Sequence, residues 1–295
     1  MARQSIRPPA VAGTWYAGTP EALARDVDDH LTAVDARPAG TVGAVIAPHA
    51  GLVYSGPVAA WAYRAVASER YDVAVLIGPS HFVPFEGVAV DDRAAFATPL
   101  GSVRVATAEA EALVDAAGPV LVFDRRPHER EHSLEMQLPF LQRVQPSLPI
   151  VPAVMGYQTR ETVDALAAAL AQAYAGRRVL LVASTDLSHF FAAPTAARLD
   201  ARVVEHVGRF DPDGLMQELE RYPEHERGRY VACGGGPAVA VMRAALALGM
   251  TASRVLRRAD SGDVSGDRDS VVGYLAAAFG IFSSPGLQPL GEARC

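Results

Sequence analysis

Two short runs that are apolar at every position restrict this chain most. Residues 73–77 read VAVLI and residues 179–183 read VLLVA. A strand with one wet face alternates apolar and polar side chains, so an unbroken β-branched run marks a strand covered on both sides. Other strand-like runs fall at 43–48, 87–90, 102–105, 119–123 and 149–154, with two more near 254–257 and 270–275. Helical periodicity occupies 20–35, 55–68, 107–117, 159–175, 194–210, 212–222 and 235–248. Thr19 before Pro20 reads as an N-cap followed by proline at the first helical position, and Gly176 supplies a stop after 159–175. Strand followed by helix, repeated, predicts an α/β fold: a three-layer α/β/α sandwich with a mainly parallel central sheet. No linker divides the chain, so residues 1–295 are read as a single domain with its core at about 7–282. The short strands within 87–105 are expected to extend the sheet in antiparallel fashion.

This architecture gives meaning to three histidines. The run at 42–51 (VGAVIAPHAG) ends on His49, that at 73–82 (VAVLIGPSHF) on His81, and that at 179–190 (VLLVASTDLSHF) on His189. Open α/β sheets bind ligands beyond the carboxyl ends of their strands, and parallel neighbours carry those ends on one edge. Three histidines on one edge point to a site. Asp186, three positions before His189, either orients that imidazole or caps the turn after the strand. Cys233 in CGGGP stands where a glycine-rich turn enters an apolar helix, and the positive end of a helix dipole favours thiolate. It is either an inert core residue or a reactive one; CGGGP also has the look of a phosphate cradle but lacks the Lys-Ser/Thr of a P-loop. Two imidazoles and one thiolate suit zinc, copper or iron, and three protein ligands leave a position open.

The stretch HEREH at 128–132 matches the H-E-x-x-H zinc motif. It follows Arg125, Arg126 and Pro127, contains no apolar residue to anchor a helix, and has Leu138 where a longer zinc signature places a third histidine. A loop leading into a helix from Ser133 is the expectation, with His132 and Glu135 reaching a pocket. RADSGDVSGDRDS at 258–270 reads as a solvated loop. Trp15 and Tyr16, flanked by glycines, either cover a pocket or tie down the N-terminal segment.

Bulk properties exclude other classes. A net charge of −6 leaves no electrostatic footprint for nucleic acid or an anionic membrane. The longest apolar run, near 275–282, is far short of the ~20 residues that span a bilayer, and the N-terminus lacks the apolar core of a signal peptide. Two cysteines, Cys233 and Cys295, indicate no disulfide framework, so a cytoplasmic location is expected.

AVAGTWYAG (10–18), IAPHAGLVYSGPVAA (46–60), LIGPSHF (76–82), EHSLEMQLPFLQ (131–142), STDLSHF (184–190) and DVSGDRDSVVGYLAAAF (263–279) occur in the order seen in the Memo family. The chain resembles that family over nearly its whole length, including the bacterial and archaeal members called AmmeMemoRadiSam system protein B. The resemblance implies a fold similar to the LigB-type subunit of class III extradiol dioxygenases. It also implies one metal ion, iron or copper (with zinc as an occupant in purified protein), held by His49, His81 and Cys233. Asp186 and His189 match residues lining the same pocket, as catalytic groups, and Trp15 and Tyr54 match positions tied to peptide binding. The implied partners are a radical-SAM protein and an AMMECR-type protein, with a small-molecule or peptide ligand in the pocket; no nucleic acid and no membrane are expected. The related dioxygenases use a carboxylate where this chain has a cysteine, so ring cleavage is not assigned. Three functions are therefore carried forward: metal-dependent redox chemistry, a non-catalytic peptide-binding or copper-sequestering module, and a metal-free hydrolase using Cys233 and His189.

Overall fold

The computed structural model describes residues 5–289, so Cys295 lies outside the described residues. A two-residue strand, β1 (Ile6–Arg7), precedes helix α1 (Pro20–Thr32), which Thr19 caps by accepting from the Ala22 amide. Strand β2 (Ala36–Ala47) runs into α2 (Leu52–Val66), and β3 (Val73–Pro79) follows. Three short strands, β4 (Val88–Val90), β5 (Ala95–Thr98) and β6 (Gly101–Arg104), lead to α3 (Thr107–Ala117) and β7 (Leu121–Phe123). Helix α4 (Leu138–Val144), β8 (Ile150–Met155), α5 (Arg160–Ala173) and β9 (Val179–Ser184) complete the alternation. After β10 (His189–Phe191) come α6 (Ala193–Gly208), α7 (Pro212–Glu220), α8 (Glu224–Tyr230) and α9 (Gly235–Ala247). The chain closes with β11 (Ala252–Asp260), the single turn α10 (Gly262–Ser265) and β12 (Val271–Pro289).

Nine strands form one sheet in the order β10, β12, β2, β9, β3, β8, β4, β7, with β11 also paired to β12. The four central strands, β2, β9, β3 and β8, are mutually parallel. Antiparallel additions flank them: β12 on β2, and β4 on β8. The expected parallel centre is therefore present, extended on both sides. The segment around 87–105 splits: β4 joins the main sheet, whereas β5 and β6 form a separate three-stranded sheet with β1.

Both faces of the central strands are covered. Val73, Val75 and Ile77 of β3 join the apolar cluster that includes residues of α3, α5, α7 and α9, while Ala74 and Leu76 join the opposite cluster with α1, α2 and α4. Among the described residues no single helix is long and apolar enough to cross a membrane.

Three local expectations change. The helix expected from Ser133 becomes regular only at Leu138, after a 3-10 turn at Glu135–Gln137. The buried side chains of Ser133, Glu135 and Gln137 bond outward to other segments there. The expected loop at 258–270 contains the end of β11 and α10, where Arg268 bridges Asp260 and Asp263. Strand β12 is far longer than the run near 270–275 because small residues of low strand preference, such as Ala276, Ala277, Ala278 and Gly280, conceal it.

His128 is buried and donates from Nε2 to the Ala89 carbonyl, 3.0 Å away. Burial holds its pKa down at about 4. Because the folded imidazole resists protonation, the unfolded chain binds the extra proton below about pH 6.5, and stability falls as pH drops from there toward about 4. In metal-free protein, His128→Gln is expected to flatten this fall in urea midpoint; an unchanged slope would contradict the assignment.

Candidate metal centre

The order of the central strands decides what meets at their carboxyl edge. Strand β9 lies between β2 and β3, with Ala47 opposite Ser184 and Ile77 opposite Ala183. The residues that follow, Pro48-His49, Thr185-Asp186 and Ser80-His81, therefore emerge side by side. Asp186 sits centrally: its Oδ1 accepts from the His49 amide at 2.8 Å, and its own amide points at Cys233 Sγ, 3.3 Å away.

Cys233 comes from the other direction, between α8 and α9. The Cys233 amide faces the Asp186 carbonyl at 3.3 Å, Gly234 donates to Thr185 Oγ1 at 2.8 Å, and Gln158 holds the Cys233 carbonyl at 2.6 Å. A side chain at Gly234 would collide with the Ser184 carbonyl oxygen, so this close approach requires glycine. Gly236 donates to Gln158 Oε1. With those amides spent on protein acceptors, CGGGP fixes the cysteine against the sheet edge and is not an open phosphate cradle.

Ligand-type atoms of His49, His81 and Cys233 all lie within 4.8 Å of one another. His49 Nε2 is 3.2 Å from Cys233 Sγ, and the two imidazole rings stand edge to face with centroids 5.2 Å apart. Each imidazole has its other nitrogen engaged: His49 Nδ1 meets Ser184 Oγ at 2.9 Å, and His81 Nδ1 meets Glu131 Oε1 at 2.8 Å. Metal-binding histidines characteristically anchor their second nitrogen this way. Two neighbouring groups share members with this one: His81, Glu131 and His132, and Asp186, His189 and Cys233. In the first, Glu131 is already committed, accepting from the amides of His81, His132 and Ser133 as well as from the His81 ring. The trio of His49, His81 and Cys233 has the best-prepared donors.

Electrostatics follow this wiring. Burial raises the Cys233 thiol, but the adjacent His49 and His81 outweigh it and bring the pKa down to about 6. Burial lowers His81, yet its bonds to Cys233 and Glu131 win and lift it to about 10. Burial works against Glu131 ionisation, and the His81 contacts overcome it, leaving about 2. His132 is driven down to about 3, first by burial and then by the neighbouring His49 and His81. Asp186 is pushed up by burial.

The other expected residues divide. His132 stacks on His81 with centroids 4.5 Å apart, and Trp15 packs against its other side at 4.2 Å. His132 Nδ1 is 3.6 Å from Glu131 Oε1, too long for a hydrogen bond. His128, in contrast, turns away toward Ala89, so the two histidines of HEREH do not share a face. Glu135 is fully buried and faces the N-terminal segment: it takes bonds from Arg7 Nη1, the Ala10 and Val11 amides and the Tyr16 hydroxyl. Arg7 also donates to the His128 and Glu131 carbonyls. Tyr16 thus ties the segment down, and Trp15 beside it covers His132. The His189 Nδ1 is buried without a hydrogen-bond partner. Tyr54 is exposed on the first turn of α2. Glu131, Gln137 and Ser184 were not singled out in the sequence, although Glu131 lies inside HEREH and Ser184 opens STDLSH; without strand order nothing ties them to the histidines.

A family model described as Memo-like protein matches residues 7–278. A MEMO1 family protein of Methanothermobacter thermautotrophicus is 37% identical over 279 residues, covering 91% of this chain and 98% of its own length. One from Methanosarcina mazei is 37% identical over 274 residues, covering 92% and 98%, and one from Saccharolobus solfataricus is 36% identical over 293 residues, covering 93% and 99%. An uncharacterized protein from Escherichia coli K12 has a crystal structure that superposes with a TM-score of 0.56 at 15% identity, covering 81% of this chain and 100% of that one. At that identity it shows a shared fold alone.

In metal-free protein, the rate of Cys233 alkylation by iodoacetamide is expected to titrate with a midpoint near 6, against 9.0 for an ordinary thiol. The thiolate is the reactive form, so labelling persists at neutral pH and fades below the midpoint. A midpoint in the ordinary thiol range would contradict the proposed influence of His49 and His81.

Proposed function

This chain belongs to the Memo family, and we propose that it is a metal-dependent redox protein whose iron or copper ion is held by His49, His81 and Cys233. The observation that carries this reading is the meeting of two imidazole nitrogens and one sulfur from three distant segments, with each imidazole braced from behind. A thiolate beside two imidazoles is a donor set for zinc, copper or iron, and a poor one for magnesium or calcium. Bound there, iron or copper supplies one-electron chemistry at a centre with room for a further ligand.

The remaining roles belong to the protein. The His81 side chain is 27% exposed, which supports access of a small molecule from its side. Asp186 holds the His49 backbone in place. His189 gives or takes a proton in this reading, supported by an Nδ1 free of hydrogen bonds and a ring close to Asp186 and Cys233. Trp15 and His132 wall one side with their rings packed at a tilt, centroids 4.2 Å apart. On family kinship alone, the protein acts beside a radical-SAM protein and an AMMECR-type protein.

A second reading is supported by exposed apolar side chains, Trp15, Tyr54, Phe82 and Phe190, carried on the segments that build the centre. Such side chains suit a module that binds a peptide or partner, or sequesters copper, without turnover.

Anaerobic loading with Fe(II) or Cu(I), followed by elemental analysis, tests the ligand assignment. Wild-type protein is expected to retain about one ion per chain, and His49→Ala and Cys233→Ser to lose most of it. Full retention in both variants would refute the assignment. Oxygen consumption or redox cycling by the loaded protein separates catalysis from simple binding.

A further inference from the structure

The hydrogen bonds behind His49 count out to one arrangement of protons. Ser184 Oγ lies 2.6 Å from the Ser133 carbonyl, 2.7 Å from Gln137 Nε2 and 2.9 Å from His49 Nδ1. A carbonyl oxygen only accepts, so the single hydroxyl proton of Ser184 goes to Ser133. The Gln137 amide is oriented just as strictly. Its nitrogen is 3.0 Å from the Pro48 carbonyl, where a flipped amide would set oxygen against oxygen, and its Oε1 accepts from the Tyr63 hydroxyl at 2.8 Å. Gln137 Nε2 therefore donates to Ser184. With its proton spent and one lone pair occupied, Ser184 has only its second lone pair left for His49, and Nδ1 must be the donor.

Resting on the metal reading above, we propose that Tyr63, Gln137 and Ser184 are positioning residues that lock His49 in its Nδ1–H tautomer. Nε2 is then the nitrogen left to face Cys233 and the ion. Gln137, Ser184 and Tyr63 are all completely buried, and every donor in the chain is used, so the network has one low-energy state. Of the two neutral tautomers of His49, the lock admits only the one with the proton on Nδ1. His81 receives the same direction from Glu131, a carboxylate, whereas His49 receives it from a neutral chain. The two histidines are thus oriented by chemically different supports.

Selective 15N-histidine labelling of the metal-free full chain reads the protonation of each ring nitrogen directly through two-bond 1H–15N correlations. The His49 spectrum is expected to show a protonated Nδ1. Ser184→Ala is expected to mix the tautomers and weaken Zn(II) binding, used as a diamagnetic probe, by about 10- to 100-fold. Ser184→Thr, which restores the hydroxyl, is expected to recover both. A bare Nδ1 in the wild type, or a Ser184→Ala protein with the wild-type spectrum and affinity, would overturn the inference. Should Ser184→Ala fail to fold, the wild-type spectrum still decides, and Tyr63→Phe tests the far link with a smaller shift in the same direction. Protonated Nδ1 in a wild-type chain that takes up no Zn(II) would count against the metal reading and leave the tautomer lock standing.

Discussion

The insertion of β9 between β2 and β3 is the constraint on which the rest depends. β2 and β3 are joined through α2, yet they do not pair; β8 is laid beside β3, and the chain then returns through α5 to fill the gap with β9. Three parallel strands with matched registers deliver three chain turns to one edge, and the turn after the middle strand carries the carboxylate that binds the backbone of its neighbour. Buried, wholly apolar strands make this possible. With both faces covered, the registers are specified by packing on two sides, and a one-residue slip in any strand would turn each side chain to the opposite face and break its packing there.

Placing polar groups at such an edge has a physical cost that the structure meets by mutual pairing. His49, Asp186, Glu131, Gln137 and Ser184 are all buried, and an unpaired polar atom there costs about 1–3 kcal/mol. Nearly every one of their atoms finds a partner among the others or on the backbone. Glu131 serves a ring and three amides, and Glu135 serves an arginine, two amides and a phenol. Those two carboxylates divide the labour. One fixes an imidazole at the centre; the other fixes the N-terminal segment that brings Trp15 against His132. Close backbone approach completes the arrangement, since only glycine at 234 lets α9 begin within reach of the β9 end.

Much of this was legible in the amino-acid order, and the limits have physical reasons. VAVLI and VLLVA announced buried strands because uninterrupted β-branched residues have few other homes, and the histidines just beyond them marked an edge. Cys233 was legible as a helix-start cysteine because CGGGP precedes an apolar helix. Strand order was not legible, because it depends on contacts between distant segments, and with it went the partners of His49 and His81. HEREH illustrates the difference: its spacing suggested two histidines on one face, but Pro127 and the absence of apolar anchors argued for a loop. The structure turns His128 into the interior and His132 toward the centre. Strand β12 was under-read because alanine and glycine carry little strand signal, although nearly all its side chains from Val271 to Phe279 are buried.

The central claim is that three donors, far apart in the chain, share one ion. Anomalous diffraction from crystals loaded anaerobically with Fe(II) or Cu(I) tests it most directly. The account predicts a single strong peak within bonding distance of His49 Nε2, His81 Nε2 and Cys233 Sγ, with Glu131 still on His81 Nδ1. A peak held by Glu131 and His132, a peak centred on Asp186 and His189 without His49, or none at all, would contradict it.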